Sequence, residues 1–266
     1  MRGNVVFKVL FTLTVIFVLT IALAFGAWMI AIPGSFIKGK IESSVKKPYK
    51  IEARDIKKGI FFNVTIGSIK VSKGSGELLT LTDTYVSFEP SSLLFRKLKL
   101  LLKTTLNGGV INGEVVAEKG EASGGGNFSD IDVGAFSYLR RLGIRGDGTL
   151  SGTFTLEGKG GQVVFSVTDF KFQDIYSHGI YVPLKYFNEL KGAIRVENGV
   201  LEMKSVTATG KGIFARVKGK VENAFSDITI ELMPEEDFPD KDKLAFLRQY
   251  EVSPGAYVIT VKKRLF

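Results

Sequence analysis

From Lys50 to the end of the chain, apolar and polar residues alternate with a period of two. "YKIEARDI", "VTIGSIKVS", "LTLTDTYVSFE", "VVFSVTDFKF" and part of "SDITIEL" place apolar side chains on every second position, the signature of half-buried strands. Gly-rich breaks separate these runs at Lys73–Glu77, Gly120–Asn127 and Gly158–Gly161. Short strands joined by such turns predict a mainly β domain rather than a βαβ array. Helical spacing is confined to two stretches, Asp132–Leu142 and Asp240–Tyr250, the second opening on acidic residues suited to a helix N-terminus. Pro90–Lys103 reads as a short turn followed by a strand.

One phrase recurs. "INGEVVAEKG" from Ile111, "LSGTFTLEGKG" from Leu150 and "LKGAIRVENGV" from Leu190 share the order apolar, any, Gly, any, apolar, with a Glu closing the core, and "VKGKVE" from Val217 is a degenerate fourth copy. Side chains alternate faces along a strand. Val115, Phe154, Leu156, Ile194 and Val196 therefore lie on the same face as Gly113, Gly152 and Gly192 of their own copies. A strand glycine marks a bulge, a bend or a close approach, so these three are read as bending points. The apolar face needs a cover. A second sheet making a sandwich, an open groove taking an apolar ligand, or a protein partner would each supply one.

The N-terminus differs in kind. Val9–Ile32 carries no charge, and as a helix it would extend about 36 Å, enough to cross a hydrocarbon core of roughly 30 Å. Trp28 stands near one end, where an aromatic ring suits the membrane interface, and Pro33 ends the run. A cleavable signal peptide ending near Ala22–Ala24 is the competing reading, against which "FGAWMIAI" stays apolar beyond that point. The expected organisation is a tail at 1–8, an anchor at 9–32, a basic juxtamembrane linker at 33–50 and a β-rich domain at 51–266.

The net charge of +9 is concentrated after the anchor, where Lys38, Lys40, Lys46, Lys47 and Lys50 stand close together. Beside an apolar span, such a cluster suits anionic headgroups, making membrane lipids rather than nucleic acid the expected partner, although an ordinary solvated linker has the same composition. Flanking lysines alone would leave the large domain in the cytoplasm, but the rule weakens for long domains that translocate regardless of charge. Catalytic signals are missing. There is no cysteine and one histidine, His178, in "YSHGIYVP", where it reads as a packing or turn residue. No nucleophile elbow or phosphate loop occurs. The carboxylates of "PEEDFPDKD" lack the spacing of a calcium loop. No catalytic, cofactor-binding or metal-ligating residue is expected.

The chain resembles the type II secretion system protein N family, itself similar to the AsmA-like group of envelope proteins. The resemblance rests on the anchor, on "GIFFNVTIGSIKVS" and "TLTDTYVSFEPSSLLFRKLKL" leading into "LNGGVINGEVVAE", and on "GIRGDGTLSGTFTLE" and "VPLKYFNELKGAIRVENGVLEMKSVTATG". It implies a single-pass inner-membrane protein with a cytoplasmic tail and a periplasmic β domain. The implied function is non-enzymatic association with the secretion machinery, its sheet presented to a secretion or envelope partner or to lipid. The AsmA-like alternative is a carrier that holds phospholipid in an apolar β-groove.

Overall fold

The structure is a computed structural model and describes residues 32–264, except 46, 142, 178–179 and 223–224, together with Gly26 and Trp28. The expected anchor therefore lies outside the described residues, apart from Gly26, Trp28 and Ile32. Among the described residues, no helix is long and apolar enough to cross a membrane.

Part of the expected linker is helical. Helix α1 (Gly34–Glu42) follows Pro33, whose extended backbone forms its N-cap. The strands are β1 (Tyr49–Lys58), β2 (Asn63–Lys73), β3 (Gly76–Glu89), β4 (Lys97–Leu106), β5 (Gly109–Glu118) and β6 (Glu121–Asp132). The short helix α2 (Ser137–Arg141) precedes β7 (Gly146–Glu157), β8 (Gly160–Phe172), β9 (Ile175–Ser177) and β10 (Ile180–Val182). Then come β11 (Phe187–Glu197), β12 (Val200–Gly210), β13 (Ile213–Glu222), β14 (Phe225–Pro234), β15 (Glu251–Ser253) and β16 (Ala256–Arg264). Pro90–Phe95 and Lys241–Tyr250 form 3-10 turns.

Among the described residues, fourteen strands form one antiparallel sheet and β9–β10 form a separate hairpin. Each strand pairs with its neighbour in sequence, with two departures: β8 pairs with β11 across the β9–β10 insertion, and β16 lies between β14 and the edge strand β15. Among the described residues the second sheet is that three-residue-strand hairpin, so no second large sheet covers the first.

Directly opposed residues of an antiparallel pair share a face, so register carries the alternation across the whole sheet. Ile131, Leu150, Val167, Leu190, Ala208, Ala215, Leu232 and Tyr257 form one unbroken row across eight strands. On the opposite face, Thr155, Gln162, Arg195, Glu202, Lys220, Asp227 and Lys262 form another. That row alternates in sign and is laced by Lys220–Glu202 at 3.5 Å and Lys262–Asp227 at 3.2 Å. One face is thus apolar and the other charged.

The apolar face is covered unevenly. At the β1 end, Trp28, Ile37 and Ile41 pack on Ala53, Val64 and Ile66. Along the margin where β8, β12 and β14 end, Phe238, Leu244, Leu247 and Tyr181 cover Phe187, Ile213, Leu232 and Tyr257. The β6–β7 connection reaches back to β3, where the Ser137 hydroxyl donates to Glu77 O at 3.1 Å and the Arg141 guanidinium donates to the same carbonyl. Two polar side chains on the apolar face satisfy each other: Thr104 donates to Thr82 O at 3.1 Å, and the hydroxyls of Thr84 and Thr104 lie 2.7 Å apart.

All three covers sit at the margin or at one edge, so burial falls along the strands. Val167 in the margin row is 3% exposed, whereas Leu156 and Val196, nearer the tight turns at the other end, are 40% and 41% exposed. This gradient gives a direct test by truncation. Leu244→Ala is expected to cost about 2–5 kcal/mol, as for other fully buried leucines. Leu156→Ala on the uncovered part is expected to cost about 1 kcal/mol or less. Urea unfolding of both variants measures the difference, and equal losses would mean that the uncovered region is packed after all.

Candidate functional site on the apolar face

The five residues expected to line a surface fall in two adjacent rows on the uncovered part of the apolar face. Val115, Gly124, Leu156, Gly161 and Val196 are mutually opposed across β5, β6, β7, β8 and β11. In the next row, Gly113, Gly126, Phe154, Val163 and Ile194 are opposed in the same way. Each copy of the repeated phrase is the first strand of a hairpin: β5, β7 and β11 carry it, and β6, β8 and β12 return. The constant spacing is the length of such a hairpin with its connection.

The glycines of the repeated phrase are places of close approach. The ladder runs unbroken through Gly113, opposed by Leu102 and Gly126, while Gly152 is opposed by Phe128 and Phe165. Gly152, whose partner Phe128 borders the shift at Phe128/Ile131, and Gly192, beside the shift at Ala193/Ile194, lie next to irregularities. What the three glycines share is an aromatic ring where a side chain would be. A Cβ on Gly113 would meet Phe154 Cζ at 3.0 Å, on Gly152 Phe128 Cζ at 2.6 Å, and on Gly192 Phe165 Cζ at 2.7 Å. Rings laid across neighbouring glycines fill the face without thickening it. Three of the register shifts take in Asp83 in β3, Asp130 in β6 and Asp169 in β8, each with a positive φ, a conformation Asp tolerates better than most residues. Sequence reasoning had passed over Phe128 and Phe165, which lie on strands outside the repeated phrase; their signal was an aromatic residue of matching parity one strand away.

The basic cluster divides between α1 and β1. Lys38, in α1, is 3.8 Å from Glu42, and Lys40 lies 5.6 Å above the Phe36 ring. Lys50 is the second residue of β1, and its ammonium, 2.7 Å from Glu52, has its pKa raised by that hydrogen bond. Lys47 is exposed just before β1, and Lys46 lies outside the described residues. Glu42 links the two halves: besides pairing with Lys38 it accepts from Ala53 N at 3.2 Å, and its charge acts on Lys50.

The acidic stretch is partly consumed by structure. Asp240 Oδ2 lies 2.7 Å from the Tyr181 hydroxyl and 3.0 Å from Lys185 Nζ, and Oδ1 lies 3.1 Å from Lys243 Nζ. Asp174 shares both Tyr181, at 2.9 Å, and Lys185, at 2.9 Å. The phenol has one proton for two carboxylates, so Lys185 supplies the bridge between them. Burial pushes the Tyr181 hydroxyl up, and its carboxylate acceptors push it further. The Asp240 carboxyl is held well below its usual range, first by Tyr181 and then by Lys185. This knot ties the β9–β10 hairpin to the Lys241–Tyr250 turn over the covered margin.

Among the described residues, no group of three or more His, Asp or Glu side chains could hold a metal ion, and His178 lies outside them. A concavity of about 510 Å³ borders Ser151, Thr153, Val164 and Lys191, and its lining holds no carboxylate or imidazole. The uncovered apolar face is therefore the feature left without a structural role. Comparison with protein-family models, with curated proteins and with solved structures finds no match for this chain.

Two predictions follow from these contacts. Gly152→Ala puts a methyl 2.2 Å from Val164 O as well as against Phe128, whereas Gly113→Ala meets only a ring tip at 3.0 Å as its nearest neighbour. The first is expected to cost about 1–3 kcal/mol and the second clearly less, measured by urea unfolding. For the knot, a depressed carboxyl pKa contributes stability above the unfolded value of about 3.9, and that stability is lost as pH falls through the folded value. Asp240→Asn should therefore lower Tm at neutral pH, and its deficit against the parent should shrink as pH is lowered below about 4. A deficit independent of pH would remove the charge from the explanation.

Proposed function

We propose that this protein is a non-enzymatic, membrane-anchored β-sheet protein whose apolar face forms an open groove for the acyl chains of phospholipid. The single observation that carries this reading is the pair of adjacent apolar rows around Phe154 and Leu156, set on a continuous face and left half exposed. Exposed contiguous apolar surface of this kind marks a binding face. Curvature enters through the strand twist that accumulates across a sheet and through the bulges at Asp83, Asp130 and Asp169. Glycines beneath Phe154 and Phe165 keep the floor low enough for a chain to lie along it.

The anchor at 9–32 makes the protein a single-pass membrane component, and the envelope resemblance points to the inner membrane with the sheet in the periplasm. This is the AsmA-like reading. A second reading, association with the type II secretion machinery, has its support in the stretches from Gly59 to Glu118 and from Val182 to Gly210 that resemble protein N. Under that reading, the same face receives a secretion or envelope protein.

Photo-crosslinking in cells, with a photoreactive residue at Phe154 or Ile194 and mass spectrometry of the adducts, separates the two. Phospholipid adducts are expected. Adducts to another protein would transfer the face to the secretion reading, and adducts only within the chain would overturn both.

A further inference from the structure

The sheet has two unlike ends. At one lie the covering segments and the Asp240 knot. At the other, the connections are short, and two of them carry large apolar side chains into solvent. The loop between β1 and β2 exposes Ile60 and Phe61, the latter 77% exposed. The turn after β3 exposes Leu93, Leu94 and Phe95, with Leu94 at 83% and Phe95 at 71%. The two loops are neighbours, since Asn63 opens β2 opposite Ser87 near the end of β3 and Phe88 N donates to Phe62 O at 2.9 Å. Neither loop belongs to the groove rows, and packing gives no reason for leaving five large apolar side chains in water.

The same loop holds the end of the uncharged run. Trp28 Nε1 donates to Gly59 O at 3.0 Å, and the Trp28 ring lies 5.7 Å from that of Phe62. Lys58 Nζ donates to the carbonyl oxygens of Trp28, at 2.8 Å, and Ile32, at 2.5 Å. A tryptophan at the end of a membrane-spanning run settles at the headgroup level. Gly59, bonded to that indole, is then held at the same level, and Ile60 and Phe61 follow it directly in the chain. Exposed Lys57 and Arg96 flank the two loops, as basic residues do at an anionic interface.

We infer that Ile60, Phe61, Leu93, Leu94 and Phe95 form a membrane-inserted tip that seats this end of the sheet on the bilayer entered by the anchor. The occupant of the patch is the lipid interface itself, bound as amphipathic surface elements are, through shallow burial of apolar side chains. The inference rests on the anchor in the proposed function and not on lipid occupancy of the groove. Its consequence is orientation. The half-exposed rows around Leu156 and Val196 end near the membrane, while the covered margin stands away from it by up to about 40 Å, the length of a twelve-residue strand such as β7.

The chain has no cysteine, so single labels are clean. Phe61→Cys, Leu94→Cys and, as a control at the far end, Val252→Cys would each carry an environment-sensitive fluorophore in the full-length protein, reconstituted into phosphatidylethanolamine–phosphatidylglycerol vesicles. Val252 is the appropriate control because it is apolar and 67% exposed but lies in β15. Lipids brominated along the acyl chain are expected to quench most of the fluorescence at 61 and 94 and to leave 252 unchanged, with aqueous iodide giving the reverse order. Leu93→Cys and Phe95→Cys repeat the measurement if either first variant misfolds by circular dichroism. Iodide quenching at 61 and 94 equal to that at 252 would overturn the inference. Protection from both quenchers would overturn it too, by placing protein rather than lipid on the patch. The Phe154 crosslink reads groove occupancy separately, so either idea can fail alone.

Discussion

The register of the antiparallel ladder is the constraint on which the other features depend. A slip of one residue between any two strands would move every apolar side chain beyond it to the charged face. The pairing avoids this across the ladder: where a residue is inserted, as at Asp130 and Asp169, the bulge takes up the extra position and the next apolar residue returns to its row. The alternating charges of the outer face reinforce the same register, because Glu202 meets Lys220 and Asp227 meets Lys262 only in this alignment. Such exposed pairs contribute little stability individually. Their value lies in disfavouring slipped pairings, which would set like charges opposite each other.

A sheet of this kind has a continuous apolar face and too little helix to cover it. The chain spends its covering segments at one margin and at the β1 edge. Leu244 and Leu247 come from a ten-residue 3-10 turn and Ile37 and Ile41 from a nine-residue helix, and neither is long enough to reach the middle strands. The unburied middle is a consequence of this distribution and not of missing hydrophobicity. Glycines there replace bulk with rings lying flat, so that the face is smooth as well as apolar. Smoothness suits a flexible chain as occupant better than a folded protein, whose side chains interlock with depressions.

Much of this was legible in the sequence because both controlling signals are local. Period-two alternation marked the strands, and the parity of Phe154, Leu156, Ile194 and Val196 within the repeated phrase placed them on one face before any pairing was known. The helical spacings at Asp132–Leu142 and Asp240–Tyr250 marked real turns of helix, though shorter or tighter than the pattern suggested. What the sequence left hidden was non-local. Whether Phe128 covers Gly152 depends on the pairing of β6 with β7, and a strand glycine reads as a bend until its neighbour is known. The Asp bulges carried a faint signal, an Asp after a polar residue within an alternating run. Yet Ser226–Asp227 has the same form, and β14 keeps its register there. The lysines from 38 to 50 read as one cluster because they are close along the chain. The reversal between α1 and β1 sets Glu42 among them, paired with Lys38 and acting on Lys50.

The relation between the two ends of the sheet gives the architecture its direction. Every second connection lies at the covered margin, and three of those are long, at 133–145, 173–186 and 235–250, while 74–75, 107–108 and 211–212 are tight. The connections at the other end stayed tight at 119–120, 158–159 and 198–199 or acquired apolar side chains at 60–61 and 93–95. Additions at the margin seal the apolar face from water. Additions of the same bulk at the other end would have closed it where Trp28 and Gly59 tie the sheet to the end of the uncharged run. Under the proposed function, a face sealed at the margin and left open beside Trp28 suits exchange with a membrane, since an acyl chain entering from the bilayer would pass from one apolar medium to another without crossing water.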